Sequence, residues 1–445
     1  MIGTAHRIAA ALSVVLLVLL VLAGGRYLQA HGGWDIAAGS NDLMTLMVLA
    51  LGLVFALSFA LLRPGGRNVD GARWMSLVWT LAILVCLVFT YRVIIVAERW
   101  TQEVGTPIVT PQDLETFVAA HPDAFAAYDY RVPTGVYLQS FEFLNASNVE
   151  MAGFVWQKYG PEIPDSVMRG IVLPEAVEEA YQAEEVWRIE RDGVEEIGWY
   201  FSGTIRQHFD YQLYPFDRQD IWLRLWSPEP LEGVLLVPDF ASFRDLDPAT
   251  LPGLDTEFVY GGWDPLWSEF TYRLLDYNVD FGLDYGFSGA PDPELYFNLA
   301  VERDFLGPML EHIVLELAIA ILVFFLLLLM AHESDELRDR VGLTIFDLIV
   351  AAGGLLFAVI LDHNAIRGSV ESQALVYLEW FPLILDVFIV LVVLNAVLRV
   401  KRWRLPGLGY TGDLVPVLAY WPALLGTLLA VTLLIFFYLG LTPQK

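Results

Sequence analysis

A chain of 445 residues that is 56% hydrophobic and 18% charged is too apolar for a water-soluble protein of this size. Its formal charge of −27 repels nucleic acid and other polyanions and gathers cations and protons. A single cysteine, Cys86, placed inside an apolar run, excludes a disulfide framework.

Seven apolar runs are long enough to cross about 30 Å of hydrocarbon. They are Ile8 to Leu22, Leu43 to Leu62, Trp74 to Val96, Ile313 to Ala331, Leu343 to Leu361, Tyr377 to Leu398 and Val415 to Leu439. Three precede and four follow a long acidic segment, which predicts three regions: 1–97, a three-helix bundle; 98–304, a β domain; and 305–445, a four-helix bundle. Arg7, then Arg63, Arg67 and Arg73, then Arg338 and Arg340, then Arg399, Lys401, Arg402 and Arg404 fall on one side if every run spans. Basic residues are retained in the cytoplasm, so the amino terminus is expected inside and the large middle domain outside. The first run also fits a cleaved signal peptide, because it is short and follows a basic start. The first three runs carry no nucleotide or metal motif and read as an accessory bundle for oligomer packing or partner docking, or as an anchor.

Residues Glu98 to Asp304 hold 38 acids against 12 bases, so nearly the whole charge imbalance sits in the middle domain. A short helix is expected at Gln112 to Ala120, with acids near its start. Val136 to Phe143 and Val149 to Trp156 alternate as half-buried strands joined at Asn145 to Asn148. Val186 to Ile189 and Ile197 to Ile205 form a second pair around Arg191-Asp192-Gly193, a hairpin turn. Further strands fit Ile221 to Trp226, Gly233 to Pro238, Phe270 to Tyr277 and Leu295 to Arg303. Two insertions interrupt them: Pro161 to Glu185, acidic and read as partly helical, and Phe240 to Pro265, rich in Asp, Pro and Gly. Short strands with intervening turns predict an antiparallel β-sandwich.

Between two of those strands lies Tyr214-Pro215-Phe216-Asp217, followed by Gln219. This loop, the strand pattern before it and the four apolar runs after it resemble the pentameric ligand-gated ion channels, the Cys-loop receptor superfamily, over roughly residues 130 to 440. Gln207 and Ile221 stand where animal members carry the two cysteines of the loop, as in a bacterial relative. Arg303 matches the basic residue that ends the last strand, and Arg340-Val341-Gly342-Leu343 resembles the start of the pore-lining helix.

The resemblance implies a homopentamer in a bacterial inner membrane. Its external, periplasmic sandwich would sense a small molecule, protons or divalent cations and gate a pore lined by 341–361. Tyr214, Pro215, Phe216 and Asp217 would press on the outer loop Asp362 to Gln373, with Asp217 paired to Arg303 or, alternatively, to Arg367, or simply capping its own turn. Gly342, Phe346, Ile349, Gly353 and Phe357 share one helix face and would line the pore, Phe346 and Ile349 as constrictions that close by dewetting. Asp335, Glu336 and Asp339 would ring the cytoplasmic mouth and favour cations, or form a solvated turn neutralised by Arg338 and Arg340. By position, Trp156, Tyr159, Trp263, Trp267, Tyr285 and Phe287 are the candidates for an aromatic ligand box at subunit interfaces.

Two features depart from the family. Pro308 lies near the start of the first pore-domain run rather than in mid-membrane, with Glu311, His312 and Glu316 after it, and the pore helix has only Thr344 and Asp347 as polar residues. A non-conducting membrane sensor therefore stands as the alternative. Asp347 and Asp386 are acids within spans, suited to hydrogen bonding or to ion handling. No phosphate loop, nucleophile elbow or zinc motif occurs, so nothing supports an enzyme or a cofactor. The acids Asp276, Asp280, Asp284, Asp292 and Glu294 are a candidate Ca²⁺ site without EF-hand spacing.

Overall fold

A computed structural model describes residues 2–33, 40–62, 69–96, 105–228, 233–259, 261–279, 291–331, 345–370, 374–400, 404–405, 408–409 and 414–438. The chain opens with helices α1 (Ile2–His31), α2 (Ser40–Leu62) and α3 (Val69–Val96). Helix α1 runs well past both ends of its apolar core. A helix once nucleated by packing gains one backbone bond for each residue added, so its polar ends continue the ladder. Polar side chains tie these helices to one another and to the last helix of the chain: Trp79 Nε1 donates to Ser58 Oγ at 2.7 Å, and Ser76 Oγ to the Leu418 carbonyl at 2.5 Å.

A β domain comes next. Strand β1 (Thr106–Pro107) leads into α4 (Pro111–Ala120), whose start is set by a reciprocal cap. The Thr110 hydroxyl accepts from Asp113 N at 3.2 Å while Asp113 Oδ2 accepts from Thr110 N at 2.8 Å, and Pro111 supplies a pre-set first turn. After α5 (Pro122–Phe125) come β2 (Tyr130–Asn145), β3 (Asn148–Tyr159), β4 (Ala176–Arg191), β5 (Val194–Arg206), β6 (Arg218–Leu225), β7 (Val234–Pro238), β8 (Leu254–Val259), β9 (Trp263–Leu275) and β10 (Asp292–Arg303). The β4–β5 turn is the two-residue loop Asp192-Gly193, with φ of 52° and 77°. Both angles are positive, as a turn that matches strand twist requires.

One sheet has the order β1-β9-β10-β6, the other β4-β5-β3-β2-β7 with β8 beside β2. Their inward side chains, among them Val136, Leu138, Val155, Ile197, Ile221, Phe270, Phe297 and Leu299, fall in one buried cluster. Strand β3 shows how the sequence arranges this. Val149, Met151, Val155, Gln157 and Tyr159 are buried, alternating with more exposed neighbours.

Three expectations need correction. The sheets are not wholly antiparallel, since β7 and β8 both run parallel to β2; each arrives by a long crossover rather than a hairpin, which frees its direction. Pro161 to Glu185 contains no helix: turns lead into β4, whose Glu-rich stretch is held by pairing with β5. The Asp- and Pro-rich stretch Phe240 to Pro265 includes β8 and the start of β9.

Four more long helices end the chain: α6 (Leu306–Ala331), α7 (Ile345–Val370), α8 (Trp380–Val400), entered through a 3-10 turn at Tyr377–Glu379, and α9 (Leu414–Leu433), which closes in a π turn, Leu434–Tyr438. A two-residue pair, β11 (Arg404–Leu405) with β12 (Leu408–Gly409), lies between α8 and α9. Ile319, Val323, Ala352, Val359, Leu385, Ile389 and Tyr420 form the core of this bundle. Among the described residues seven helices are long and apolar enough to cross a membrane. Helix α7 continues to Val370, so Asp362, His363 and Arg367 are helical rather than in a loop; 371–373 lie outside the described residues. Their side chains bond inward to α6 and to the 3-10 turn, and this lets the helix persist beyond its apolar stretch.

Candidate functional site

The segment between β5 and β6 is drawn closed at its neck. Gln207 Oε1 accepts from Trp222 N at 3.1 Å while its Nε2 donates to the Trp222 carbonyl. Gln219 Nε2 then donates to the Asp210 carbonyl at 2.8 Å and to Asp217 Oδ2 at 3.0 Å. Turn bonds Tyr214 N to Tyr211 O and Phe216 N to Leu213 O, at 2.9 and 2.8 Å, curl the tip, which contains a cis Tyr214–Pro215 bond.

The structure brings Asp217 and Arg303 together. Arg303 Nε and its second terminal nitrogen donate to the two carboxylate oxygens at 2.8 and 3.1 Å, a fork-on-fork pair, with the Asp217 side chain 1% exposed. The guanidinium lies over the rings of Trp263 at 4.1 Å and Tyr214 at 4.8 Å. Burial alone would lower the Arg303 pKa, but the adjoining Asp217 carboxylate outweighs it and raises the value. Because β10 ends at Arg303 and α6 starts at Leu306, this pair pins the loop to the joint between the two parts of the chain.

The tip also grips the turn before α8. Tyr377 N donates to the Gln212 carbonyl at 2.8 Å and Leu378 N to the Tyr214 carbonyl at 3.2 Å. The Phe216 ring sits among Phe305 (5.1 Å), Tyr91 (5.9 Å), Phe436 (5.9 Å) and Tyr377 (6.1 Å). Arg367 is not a partner of Asp217. It donates to both Glu379 oxygens, at 2.7 and 3.2 Å, and His363 Nε2 lies 3.0 Å from the same carboxylate, which is 1% exposed. That second knot ties the end of α7 to the 3-10 turn before α8.

On α7, Phe346 is 73% exposed, Phe357 62% and Ile349 40%, and Gly353 is open as well, while Ala352, Val359 and Ile366 on the other side are buried. Among the described residues, one apolar face of α7 therefore lacks cover. Gly342, Asp335, Glu336 and Asp339 lie outside the described residues, as do Tyr285 and Phe287.

The remaining aromatic candidates are not assembled into one box. Trp156 and Tyr159 point to opposite faces of β3, three residues apart on a period of two. Trp156 Nε1 donates to Asp239 Oδ2 at 2.8 Å, its indole covers Gly135, where a Cβ would come within 2.0 Å of it, and Tyr159 is buried under the Arg169 guanidinium at 4.3 Å. Trp263 serves the Arg303 cluster, and Trp267 lies on β9 in the other sheet.

Asp239 also accepts from Lys158 at 2.7 Å. Burial opposes its ionisation, yet bonds from Lys158, Ser242 and Trp156 hold its carboxyl below the usual range. A depressed folded pKa contributes stability that is complete above about pH 4 and is lost as pH falls through the lower folded value. Lys158→Met is therefore expected to flatten the acid limb of unfolding between about pH 4 and pH 2, read by tryptophan fluorescence.

A different cluster escaped sequence reading. Glu294 of β10 accepts from Trp226 Nε1 at 2.7 Å, Tyr277 Oη at 2.5 Å and Tyr296 Oη at 3.2 Å, with Arg224 3.4 Å away. Arg224 also pairs with Glu175 and lies over Trp226 at 5.1 Å; Arg273 lies over Tyr296 at 3.9 Å, and burial pulls its pKa down. The alternation Trp222-Leu-Arg224-Leu-Trp226 was the available signal, since period-two spacing puts those three on one face. Their partners just after β9 and on β10 lie about 50 to 70 residues away, and only pairing brings them near. Asp276 and Asp292 flank this region; Asp280 and Asp284 lie outside the described residues, and among those described no group of three metal-ligating side chains is placed to hold an ion.

A last group lies inside the four-helix bundle. His312 Nδ1 is 2.8 Å from Asp362 Oδ1, with both side chains 5% exposed, and Glu316, one turn along α6, is buried too. Glu316 Oε1, Asp362 Oδ2 and Asp386 Oδ1 have no hydrogen-bond partner among the described residues. Searches against protein-family profiles and curated proteins find no match to this chain.

Proposed function

We propose that the chain is one subunit of a pentameric ligand-gated ion channel of a bacterial inner membrane. On this reading an external β-sandwich acts on a pore lined by 341–361. The observation that carries it is the loop at Tyr214 to Asp217, which is salt-bridged to the end of β10 and also hydrogen-bonded to Tyr377 and Leu378. A rotation of the β domain about Arg303 must then move α6 and α8 together, which is a lever from sheet to helix.

The open face of α7 fits pore lining between five copies, and Phe346 and Ile349 form its hydrophobic constriction. The net negative charge of the β domain favours cations near the entrance. The Glu294 cluster is the preferred ligand region. Its ring faces are capped by Arg224 and Arg273, so an organic cation binds only by displacing them.

The apolar character of the α7 face at Phe346, Ile349 and Phe357 supports a second reading, a sensor of the same architecture that does not conduct. Purified protein in liposomes separates the two. Channel activity is expected as single-channel currents from five-fold particles, and Phe346→Ala with Ile349→Ala is expected to raise open probability about tenfold or more by wetting the constriction. Five-fold particles that stay silent with both substitutions, across pH and Ca²⁺ titrations, would establish the sensor instead.

A further inference from the structure

The loop has a third partner besides β10 and the turn before α8. Helix α3 lies along α9, with Ile83 and Leu87 packed in one cluster with Leu429. Its last turns reach the coupling loop, where Val93 and Ile94 are 0% and 3% exposed. Tyr91 contributes at this point through both its ring and its hydroxyl. The ring stacks on Phe216 at 5.9 Å and 26°, and the hydroxyl lies 2.8 Å from that of Tyr377. Tyr377 Oη in turn lies 2.8 Å from Thr432 Oγ1, and Thr432 donates to the Leu428 carbonyl at 2.8 Å.

That last bond sets the direction of the chain. Thr432 spends its only hydroxyl proton on Leu428, so it accepts from Tyr377; Tyr377 therefore accepts from Tyr91. Tyr91 is thus the donor that heads a relay crossing α3, the turn before α8 and α9. Tyr377 and Thr432 are both 0% exposed, so no solvent replaces a lost bond. On the other side of the joint, Ile94 and Ile95 wall a cavity of about 130 Å³ whose far side is Asp217, Arg218, Glu302 and Arg303. The last turn of α3 thus lies beside the Asp217–Arg303 pair.

We propose that the amino-terminal three-helix bundle is a built-in modulator of the coupling loop, with Tyr91 the positioning residue through which α3 sets the placement of Phe216 and Tyr377. The proposal rests on the channel reading for its consequence, a change in gating, but not for the contact itself. A bundle that served as anchor alone would leave the loop indifferent to the Tyr91 hydroxyl.

The test uses Tyr91→Phe, which keeps the ring and removes the donor, in the full-length protein in liposomes. The midpoint of activation by pH or Ca²⁺ is expected to shift about 2- to 10-fold, the range for one buried hydrogen bond. Tyr377→Phe, which also removes the bond to Thr432, is expected to shift it at least as far, and the double substitution no further than Tyr377→Phe alone, because the Tyr91–Tyr377 bond is common to both. Ser76→Ala, which loosens α3 from α9 at the other end of the helix, is expected to leave the midpoint unchanged. Hydrogen exchange at the Tyr377 and Leu378 amides, expected to quicken in Tyr91→Phe, reads the same contact without any current. If the wild type passes no current, the channel reading fails and exchange alone decides. Unchanged exchange in Tyr91→Phe, additive midpoint shifts, or an equal shift in Ser76→Ala would each overturn the modulator.

Discussion

Asp217→Arg is expected to lower the free energy of unfolding by about 3–5 kcal/mol and, on the proposed channel reading, to abolish gating; Arg303→Asp is expected to do the same. Either change leaves two like charges in a site where the Asp217 side chain is 1% exposed and the Arg303 side chain 17%. The Asp217→Arg/Arg303→Asp exchange is expected to recover much of the stability and part of the gating, since opposite charges face one another again. Recovery is incomplete, because Gln219 would lose its acceptor at Asp217 and Trp263 and Tyr214 would no longer lie on a guanidinium. Denaturant midpoints and activation curves of the four proteins give the coupling energy. Strict additivity would show that the pair does no joint work, and the lever would lose its fulcrum.

Glu316→Leu is expected to act in the opposite direction on stability, raising it by about 1–3 kcal/mol. Glu316 is 7% exposed, its Oε1 has no partner among the described residues, and Asp362 and Asp386 on α7 and α8 each present an oxygen in the same condition. Replacing a buried, unsatisfied carboxyl by an apolar group of similar volume removes a desolvation penalty and keeps the packing. A protein that retains these unbonded carboxyl oxygens in one bundle, beside the His312–Asp362 pair, bears a cost that packing does not require, and such costs collect at functional sites. On the proposed channel reading, the stabilised variant is accordingly expected to gate with little dependence on pH. Thermal unfolding in detergent and activation curves at several pH values check both halves; a lower melting temperature would show that Glu316 has a stabilising partner.

The two polar knots illustrate how far one dimension reaches. Arg303 was a candidate partner for Asp217 through the resemblance, which matches it to a basic residue at the end of the last strand. Arg367 was the alternative partner while Asp362 to Gln373 read as loop, whereas α7 continues and turns Arg367 toward Glu379. An apolar window ends where hydropathy ends, while a helix ends where its backbone bonds do, so polar residues bonded inside a bundle are misread as its exit. The aromatic candidates show a related effect within one chain. Sequence position suggested Trp156 with Tyr159, but the strand period separates them, and the ring cluster that does form draws Trp226, Tyr277 and Tyr296 from distant parts of the chain.

Local chemistry was therefore decided by the sequence itself. Seven apolar runs, the Asp192-Gly193 turn, the Thr110 cap, the alternation of β3 and the polar turn at Tyr214 to Asp217 all arise from neighbours a few residues apart, where periodicity and turn propensity act. Tertiary structure alone decided which distant groups meet: the parallel placement of β7 and β8, the Glu294 cluster, the carboxyl group of Glu316 beside the His312–Asp362 pair and the reach of Tyr91 from α3 to Phe216. Such pairings depend on how buried faces of remote elements match. That information is spread over the whole core and is carried by no single stretch of chain.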